Sequence, residues 1–296
     1  MELRDIEIFL TLAEELHFGR TAARLHVSQA RVSQAIKKQE RGVGAPLFER
    51  TSRSVRLTPV GVQLRADLLP AFRSLREGMA RARLAAEGKT GVLRVGMLPA
   101  NAHDLRPYWE AFRARHPQWG LHIRHNPFVN AFAPIRNGDI DVLVAWLPVE
   151  EPDLTTGPTV YTEHSVLLLA PDHALAGEKS VSLEVFGDRG ILQGPPGPDY
   201  WADAFTPFQT QSGRPIDRHP PDIASLDDIF THVGNGEGFH NLGGHVARYH
   251  ARPDIVYVPI HDWPGLRWGL VWRSDTESAM VDALVAVVRD LGVSRL

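Results

Sequence analysis

The stretch that decides the fold is FGRTAARLHVSQARVSQAIKKQERGVGAPLFERTSRSVR, residues 18–56. It predicts two short helices joined by a tight turn and followed by a basic hairpin. Ser28 is suited to cap the second helix, because its hydroxyl can accept a hydrogen bond from a free backbone N–H. Val32 and Ile36 are four residues apart and therefore share the inward face of that helix. The sequence thus predicts a helix-turn-helix whose second helix spans residues 28–40.

The polar side of this second helix carries side chains that suit DNA. Amide and guanidinium groups near an exposed helix start can pair with base edges, and lysines one turn further on can bind phosphates. An ordinary amphipathic helix pair with a solvated face has the same pattern, so the pattern alone leaves both interpretations open. The expected DNA-binding residues of the helix are Ser28, Gln29, Ala30, Arg31, Ser33, Gln34, Lys37 and Lys38.

A basic loop between apolar residues adds a second DNA-binding feature. The loop carries Arg50, Arg53 and Arg56, which is typical of a winged hairpin. Arginines on such a wing can enter the minor groove or hold phosphate, so Arg50 and Arg53 are added to the expected DNA-binding residues. Helix pair and wing together predict a winged helix-turn-helix over residues 1–58, with a double-stranded DNA operator as its partner.

Three segments resemble the LysR-type transcriptional regulators: MELRDIEIFLTLAEELHFGRTAARLHVSQARVSQAIKKQE, LFERTSRSVRLTPVG and the helix that follows. The resemblance is specific over about residues 1–65 and continues more loosely along the whole chain. It implies a two-fold operator, a linker helix that makes a homodimer, and an effector-binding domain similar to periplasmic binding proteins. The expected fold class is therefore α/β, with an N-terminal winged helix-turn-helix.

The recognition helix departs from the pattern of that family at three positions. Ala30 stands where a proline is usual, Arg31 where a small residue is usual, and Gln39 where an apolar residue is usual. We therefore expect Arg31 to read a base that most relatives do not read. The operator sequence cannot be carried over from the family.

Composition bounds the rest of the chain. A chain of 296 residues, 43% hydrophobic and 23% charged, predicts two or three globular domains. The absence of cysteine excludes disulfides, thiolate catalysis and cysteine-ligated zinc. Residues 1–90 carry a formal charge of +6 and residues 91–296 a charge of −9, which suits a polyanion bound by the head alone. With neither a signal-peptide pattern nor an apolar run of membrane-spanning length, we expect no membrane partner and a cytoplasmic protein.

A long amphipathic helix is expected over residues 59–87. Thr58 and Pro59 give a strong start signal, and Pro70 is expected to kink the helix. A lone helix cannot bury its apolar stripe, so a second copy should cover it in a dimer or tetramer; the alternative is packing on the chain's own C-terminal domain. The stripe consists of Leu64, Leu68, Phe72, Leu75 and Met79.

Strands and helices alternate from Val92 onward, which predicts a parallel sheet with ligands at the carboxyl ends of its strands. The expected effector-binding domain covers residues 91–296. Subdomain I would comprise residues 91–161 and 266–296, and subdomain II residues 162–265. A cleft between them is the expected effector site.

The residues expected to face this cleft follow the strands or open the helices of the two subdomains. Many relatives hold a carboxylate with a Ser or Thr in the first loop, where this chain has Pro99 and Ala100, so we expect a less anionic ligand. Trp146 and Trp201 are expected at the cleft mouth, although both could equally be core or surface anchors. The candidate effector-binding residues are Leu98, Pro99, Ala100, Asn101, Phe128, Trp146, Gln193, Trp201, Ser225 and Phe239.

Neither catalysis nor metal binding is indicated. The chain lacks the GxSxG, HExxH and P-loop patterns, and the glycine run at 234–238 follows a helix rather than a strand. His240, His245 and His250 step by five, which would spread them around one helix, so we expect no metal and no cofactor. Two hypotheses remain: a ligand-responsive regulator, or a DNA-binding protein whose C-terminal domain is an enzyme or serves only assembly.

Overall fold

The computed structural model describes residues 2–50, 55–86, 88–194, 197–220, 223, 225–263 and 265–296. They form two compact units, residues 1–87 and 88–296. The first unit consists of helices and one short hairpin. Its helices are α1 (Leu3–Glu15), α2 (Phe18–Arg24), α3 (Gln29–Val43) and α4 (Pro59–Ala86), and its strands are β1 (Phe48–Arg50) and β2 (Val55–Leu57).

The helix-turn-helix of the first unit is formed by α2 and α3. Ser28 caps α3, since its Oγ accepts a hydrogen bond from the backbone N–H of Arg31 at 3.2 Å. The helix runs about one turn beyond the predicted end, through Gly42 to Val43, and Gly44, whose φ is 81°, ends it. Phe9 of α1 and Phe48 of the antiparallel hairpin meet edge to face, with ring centroids 5.6 Å apart, and so join helices and wing in one core.

The long helix α4 begins where the sequence predicts. The Thr58 hydroxyl accepts a hydrogen bond from the Gly61 N–H at 3.0 Å, and Pro59 occupies the first helical position. The helix continues through Pro70 without interruption for 28 residues. In the part of the chain that the structure describes, no helix combines the length and apolarity needed to cross a membrane.

The apolar stripe of α4 has two parts. Leu64, Leu68 and Phe72 are partly buried and pack against the core of the first unit. Leu75 and Met79, further along the helix, leave 47% and 56% of their surfaces exposed. The first part of the stripe therefore packs against the helix-turn-helix, and the second part is exposed in the single chain.

The second unit contains two principal sheets. Its strands are β3 (Gly91–Met97), β4 (Trp119–His125), β5 (Val142–Trp146), β6 (Leu154–Glu163), β7 (Ser165–Leu169), β8 (Ile191–Leu192), β9 (Arg218–His219), β10 (His240–Gly243), β11 (Val256–Pro259), β12 (Leu266–Arg273) and β13 (Ser294–Arg295). Its helices are α5 (Arg106–Arg115), α6 (Ala133–Arg136), α7 (Val185–Arg189), α8 (Asp199–Phe205), α9 (Leu226–Gly234), α10 (Val246–Tyr249) and α11 (Ala279–Leu291).

The six-stranded sheet has the order β13-β6-β12-β5-β3-β4, and a three-stranded sheet has the order β10-β7-β11. Strand β3 is parallel to β4 and β5, but β12 returns antiparallel between β5 and β6, and the smaller sheet is antiparallel throughout. Strand β13 is also parallel to β6, and β8 to β9, so the prediction of a parallel sheet is wrong for β12 and for the smaller sheet. Strands β5 and β7 are buried at every residue, which explains why they read as unbroken apolar runs.

Two segments cross from one sheet to the other, and they run side by side. Only His164 separates the end of β6 at Glu163 from the start of β7, and Leu266 at the start of β12 pairs with Glu163. Crossings are expected from sequence at both points, but the expectation did not include β6 as a strand of 10 residues. Its segment LTTGPTVYTE is rich in β-branched residues, which was the available signal.

Candidate DNA-binding surface and effector cavity

The predicted DNA-binding side chains of α3 lie together on its outer side. Gln29, Ala30, Gln34 and Lys37 are exposed, and Ser33 is half-buried. The side chains of Val32, Ala35 and Ile36 point into the core instead. This arrangement offers amides and an ammonium group on one surface, as base and phosphate contacts require. Arg50 ends β1 in the wing, and Arg53 lies outside the described residues.

Arg31 and Lys38 are engaged within the protein. The Arg31 Nη2 donates to Asp5 Oδ1 at 2.9 Å, and Lys38 Nζ lies 3.1 Å from both Asp5 Oδ2 and Glu2 Oε1. The Asp5 side chain is fully buried. Burial would raise its pKa, but the hydrogen bonds from Lys38 and Arg31 outweigh this effect and hold the pKa of Asp5 below its ordinary value. Sequence reasoning missed Asp5, since an acidic residue in a first helical turn is common.

A cavity of about 320 Å³ lies in the second unit. The larger sheet and the loops after its strands contribute Leu98, Trp146 and Trp268, and the smaller sheet contributes His240 and Leu242. The walls are mainly apolar and aromatic, as is usual for small-molecule sites. Of the ten candidate effector-binding residues, the lining contains Leu98, Pro99, Ala100, Phe128, Trp146, Gln193 and Trp201.

Two tryptophans form one wall of the cavity. The rings of Trp146 and Trp201 are stacked, with centroids 3.6 Å apart and planes within 9° of each other. Each indole N–H donates to the backbone carbonyl of the other tryptophan, at 3.0 and 3.1 Å. Both side chains are almost completely buried, so they anchor the core and line the cavity at the same time.

Two further polar residues, Arg218 and His240, also line the cavity. The sequence predicts that the run of residues 236–240, which ends at His240, faces the cleft, but it does not point to Arg218. Arg218 donates through Nη2 to the Thr206 carbonyl at 2.7 Å and lies over the Phe208 ring, 4.4 Å from its centroid. His240, only 4% exposed, lies at the start of β10. Arg218 Nε and His240 Nδ1 are buried without a hydrogen-bond partner among the residues that the structure describes. Arg218 had no recognisable sequence signal, because it lies in a strand of only two residues.

The ionisation of His240 follows from its position. Burial, reinforced by the positive charge of Arg218, lowers the pKa of His240 from 6.5 to about 4. The ring is therefore neutral at neutral pH. The prediction that His240, His245 and His250 share one helix is wrong: His240 is in β10, and the other two flank α10. Within the described ranges, no three His, Asp or Glu residues are grouped to hold a metal.

Three candidate effector-binding residues lie outside the cavity lining. Asn101 is fully buried, and its Oδ1 accepts a hydrogen bond from the Tyr161 hydroxyl at 3.2 Å. Ser225 caps α9 by accepting from the Asp228 N–H at 3.1 Å. Phe239 packs against Phe186, with centroids 5.5 Å apart. Residue alternation explains the last case, because His240 occupies the neighbouring position and lines the cavity.

A buried carboxylate links the crossing segments to the cavity. Glu163 Oε1 accepts from Trp268 Nε1 at 2.7 Å and lies 2.9 Å from His245 Nδ1, and Oε2 accepts from the His245 backbone N–H at 2.9 Å. Both Trp268 and His245 also line the cavity. A ligand that displaces either residue would therefore act directly on the segment that joins the two sheets.

Comparison with known proteins places these two units in one family. Residues 3–62 match the bacterial regulatory helix-turn-helix of the lysR family, and residues 86–292 match the LysR substrate binding domain. The transcriptional regulator ShiR of Corynebacterium glutamicum is 30% identical over 301 residues, covering 98% of this chain and 99% of ShiR.

Solved structures are similar over nearly the full length. An H2O2-bound mutant of Corynebacterium glutamicum OxyR is 25% identical, with a TM-score of 0.51, over 98% of this chain and 92% of OxyR. Full-length CbnR in complex with its target DNA is 20% identical, with a TM-score of 0.63, over 99% of this chain and 100% of CbnR, and shows the fold alone.

The chain belongs to the LysR family of transcriptional regulators. This confirms the predicted fold class, an N-terminal winged helix-turn-helix with a linker helix and an α/β effector-binding domain. It also confirms the predicted function and partners: a regulator that binds operator DNA and a small-molecule effector and forms oligomers. The relatives are named as transcriptional regulators.

Proposed function

We propose that this regulator senses its effector in the 320 Å³ cavity of the second unit. The observation that carries the proposal is the cavity wall, which takes residues from both principal sheets and seven of the residues chosen from sequence. The Glu163 contacts support a role in switching, because they join that wall to the segments between the sheets.

The lining indicates the chemical class of the effector. Trp146, Trp201 and Phe128 offer an apolar, partly aromatic wall, while Arg218 offers a cation from one side. We therefore propose a small organic molecule with an apolar or aromatic body and one acceptor or anionic group directed at Arg218. The expectation of a less anionic ligand, which considered only Pro99 and Ala100, did not include this arginine.

Hydrogen peroxide, which occupies the OxyR structure, is not the effector we propose. The cavity here is far larger than a peroxide molecule, and the chain has no cysteine that a peroxide could oxidise. A function in assembly alone is the other candidate. The apolar cavity argues against it, since close-packed interiors rarely retain a void of this size.

The remaining assignments are proposals as well. We propose that residues 1–58 bind the operator through the α3 surface and the wing, that residues 59–87 dimerise, and that residues 91–296 sense the effector. Residues 162–265 would form the second subdomain, opposite residues 91–161 and 266–296. Because such regulators act on bacterial DNA, we propose that the protein works in the cytoplasm. We also propose that it carries no catalytic residues.

A ligand screen on the full-length protein tests the cavity. Compounds of the proposed class should raise the thermal midpoint with concentration. Arg218→Met should weaken binding of those with an acceptor group by roughly 10- to 100-fold, because a hydrogen bond to a charged group is lost. Arg189→Met, an exposed residue of α7 outside the lining, is the matched control and should bind normally. Equal losses in both variants, or none in either, would place the effector elsewhere.

A further inference from the structure

Asp5 is the point where three polar side chains of the recognition helix meet α1. Arg31 and Lys38 bind its carboxylate, and Gln39 donates through Nε2 to the Asp5 backbone carbonyl at 2.7 Å. Arg31 and Lys38 are seven residues apart, which is about two turns, so they lie on one edge of α3.

The geometry of this cluster favours a fixed arrangement. The Asp5 carboxylate is fully buried, whereas its partners are the half-buried Arg31 and the exposed Lys38. A buried carboxylate must keep its cationic partners, because an unpaired charge in the protein interior is strongly unfavourable. The two side chains are therefore drawn toward α1 and away from the centre of the outer surface of α3.

Charge in the cluster is balanced within the protein. Asp5 and Glu2 contribute two negative charges, which face the two positive charges of Arg31 and Lys38. Lys37, the adjacent residue, is exposed and forms no ion pair within the part of the chain that the structure describes. Two neighbouring lysines of the same helix thus have opposite electrostatic surroundings.

We propose that Asp5 is a positioning residue that sets the orientation of the recognition helix on α1, and that Arg31 and Lys38 serve as its ligands rather than as base and phosphate contacts. Any tilt of α3 would move every base-reading side chain on it at once. Asp5 therefore contributes to the choice of operator without touching DNA. This role is independent of the effector cavity.

Salt dependence separates the two lysines. A lysine that neutralises a phosphate releases counterions and adds about 0.9 to the slope of log K against log salt. Lys37→Met should therefore flatten the slope by about 0.9 for each bound copy and leave the ratio of operator to random DNA affinity unchanged. Lys38→Met should leave the slope unchanged, because its charge is already compensated, but should lower that ratio roughly threefold to tenfold.

The experiment uses the full-length protein and an operator selected by the wild type from random sequences. Arg31→Met, Lys38→Met and Gln29→Ala are then profiled across the whole site. The first two should weaken preference at every position that α3 reads, whereas Gln29→Ala should weaken one position. Asp5→Asn should reproduce the Arg31 and Lys38 profile and add nothing in the Arg31→Met, Lys38→Met background.

The matched control is Glu7→Gln, which removes a negative charge from α1 at a residue paired with Arg4 and Arg76 instead of α3. It should keep the wild-type profile. If Asp5→Asn does not fold, the single variants Arg31→Met and Lys38→Met still decide the matter, because each leaves Asp5 with one cationic partner. Relaxation at a single base pair by Arg31→Met would make Arg31 a base reader and overturn the proposal. The proposal would also be overturned if Lys37→Met and Lys38→Met reduced the slope of log K against log salt equally.

Discussion

Buried and half-buried polar residues lie at both candidate functional sites of this protein. Asp5 in the first unit and His240 in the second are buried, and Arg218 in the second is half-buried at the wall of the cavity. Burial has a cost for such groups unless partners are supplied, so each one restricts the conformation around it. For His240 the free-energy cost of burial depends on pH, so it can be measured as a change in stability with pH.

We predict that the second unit loses stability as the pH falls from 6.5 to about 4. In this window the unfolded chain binds a proton at residue 240 that folded His240, with its pKa lowered to about 4, does not bind. Stability therefore rises with pH, by an amount on the order of 3 kcal/mol across the window. His240→Gln keeps a donor but does not titrate, so it should remove much of this dependence.

Urea unfolding at several pH values, followed by tryptophan emission, measures this effect. All seven tryptophans lie after residue 91, so the signal reports the second unit. The half-buried ring of His250, whose pKa burial also lowers, remains in both proteins and cancels in the comparison. Identical pH profiles for wild type and His240→Gln would contradict the assignment.

At the scale of elements, α4 divides its apolar stripe between two tasks. Leu68 and Phe72 pack within the first unit, so a charge there would disturb the helix-turn-helix itself. Leu75 and Met79 are exposed in the single chain, as a surface reserved for another copy would be. The sequence-based expectation treated all five apolar positions alike, and the structure separates them.

We therefore predict that Leu75→Asp combined with Met79→Asp yields a smaller species in sedimentation, because each charge would be buried unpaired between linker helices. The head should remain folded and retain weak DNA binding. The same substitution at Val62, which is exposed near the start of α4, is the control and should keep the native mass. A native mass for the double variant would place the interface elsewhere.

The features that sequence could predict depend on local signals. The Ser28 cap, the wing and the start of α4 are each decided by residues within one or two turns of one another. The Asp5–Arg31 contact spans 26 residues and the Glu163–His245 contact 82, and no local pattern encodes such pairs. Arg218 was missed for the same reason. Family resemblance supplied the cavity's location and Gln193, but not Arg218.

At the scale of the whole molecule, effector and DNA must be coupled through a change of conformation. A ligand can shift an equilibrium only by the difference between its affinities for the two arrangements. Glu163 is placed to contribute that difference, since it contacts Trp268 and His245 of the cavity wall while itself lying on a crossing segment. If the effector binds in this cavity as proposed, its binding should change the affinity of the protein for the operator.

A footprint titration with and without effector tests that requirement most directly, because it reports both the affinity for the operator and the length of DNA protected. The compound used is one that stabilises the wild type but not Arg218→Met. We predict that it changes operator affinity at least about fivefold or alters the protected length, as couplings of ordinary size do. Arg218→Met should bind the operator as the wild type does and remain unresponsive. A compound that saturates the wild-type cavity and leaves both affinity and footprint unchanged would contradict the account.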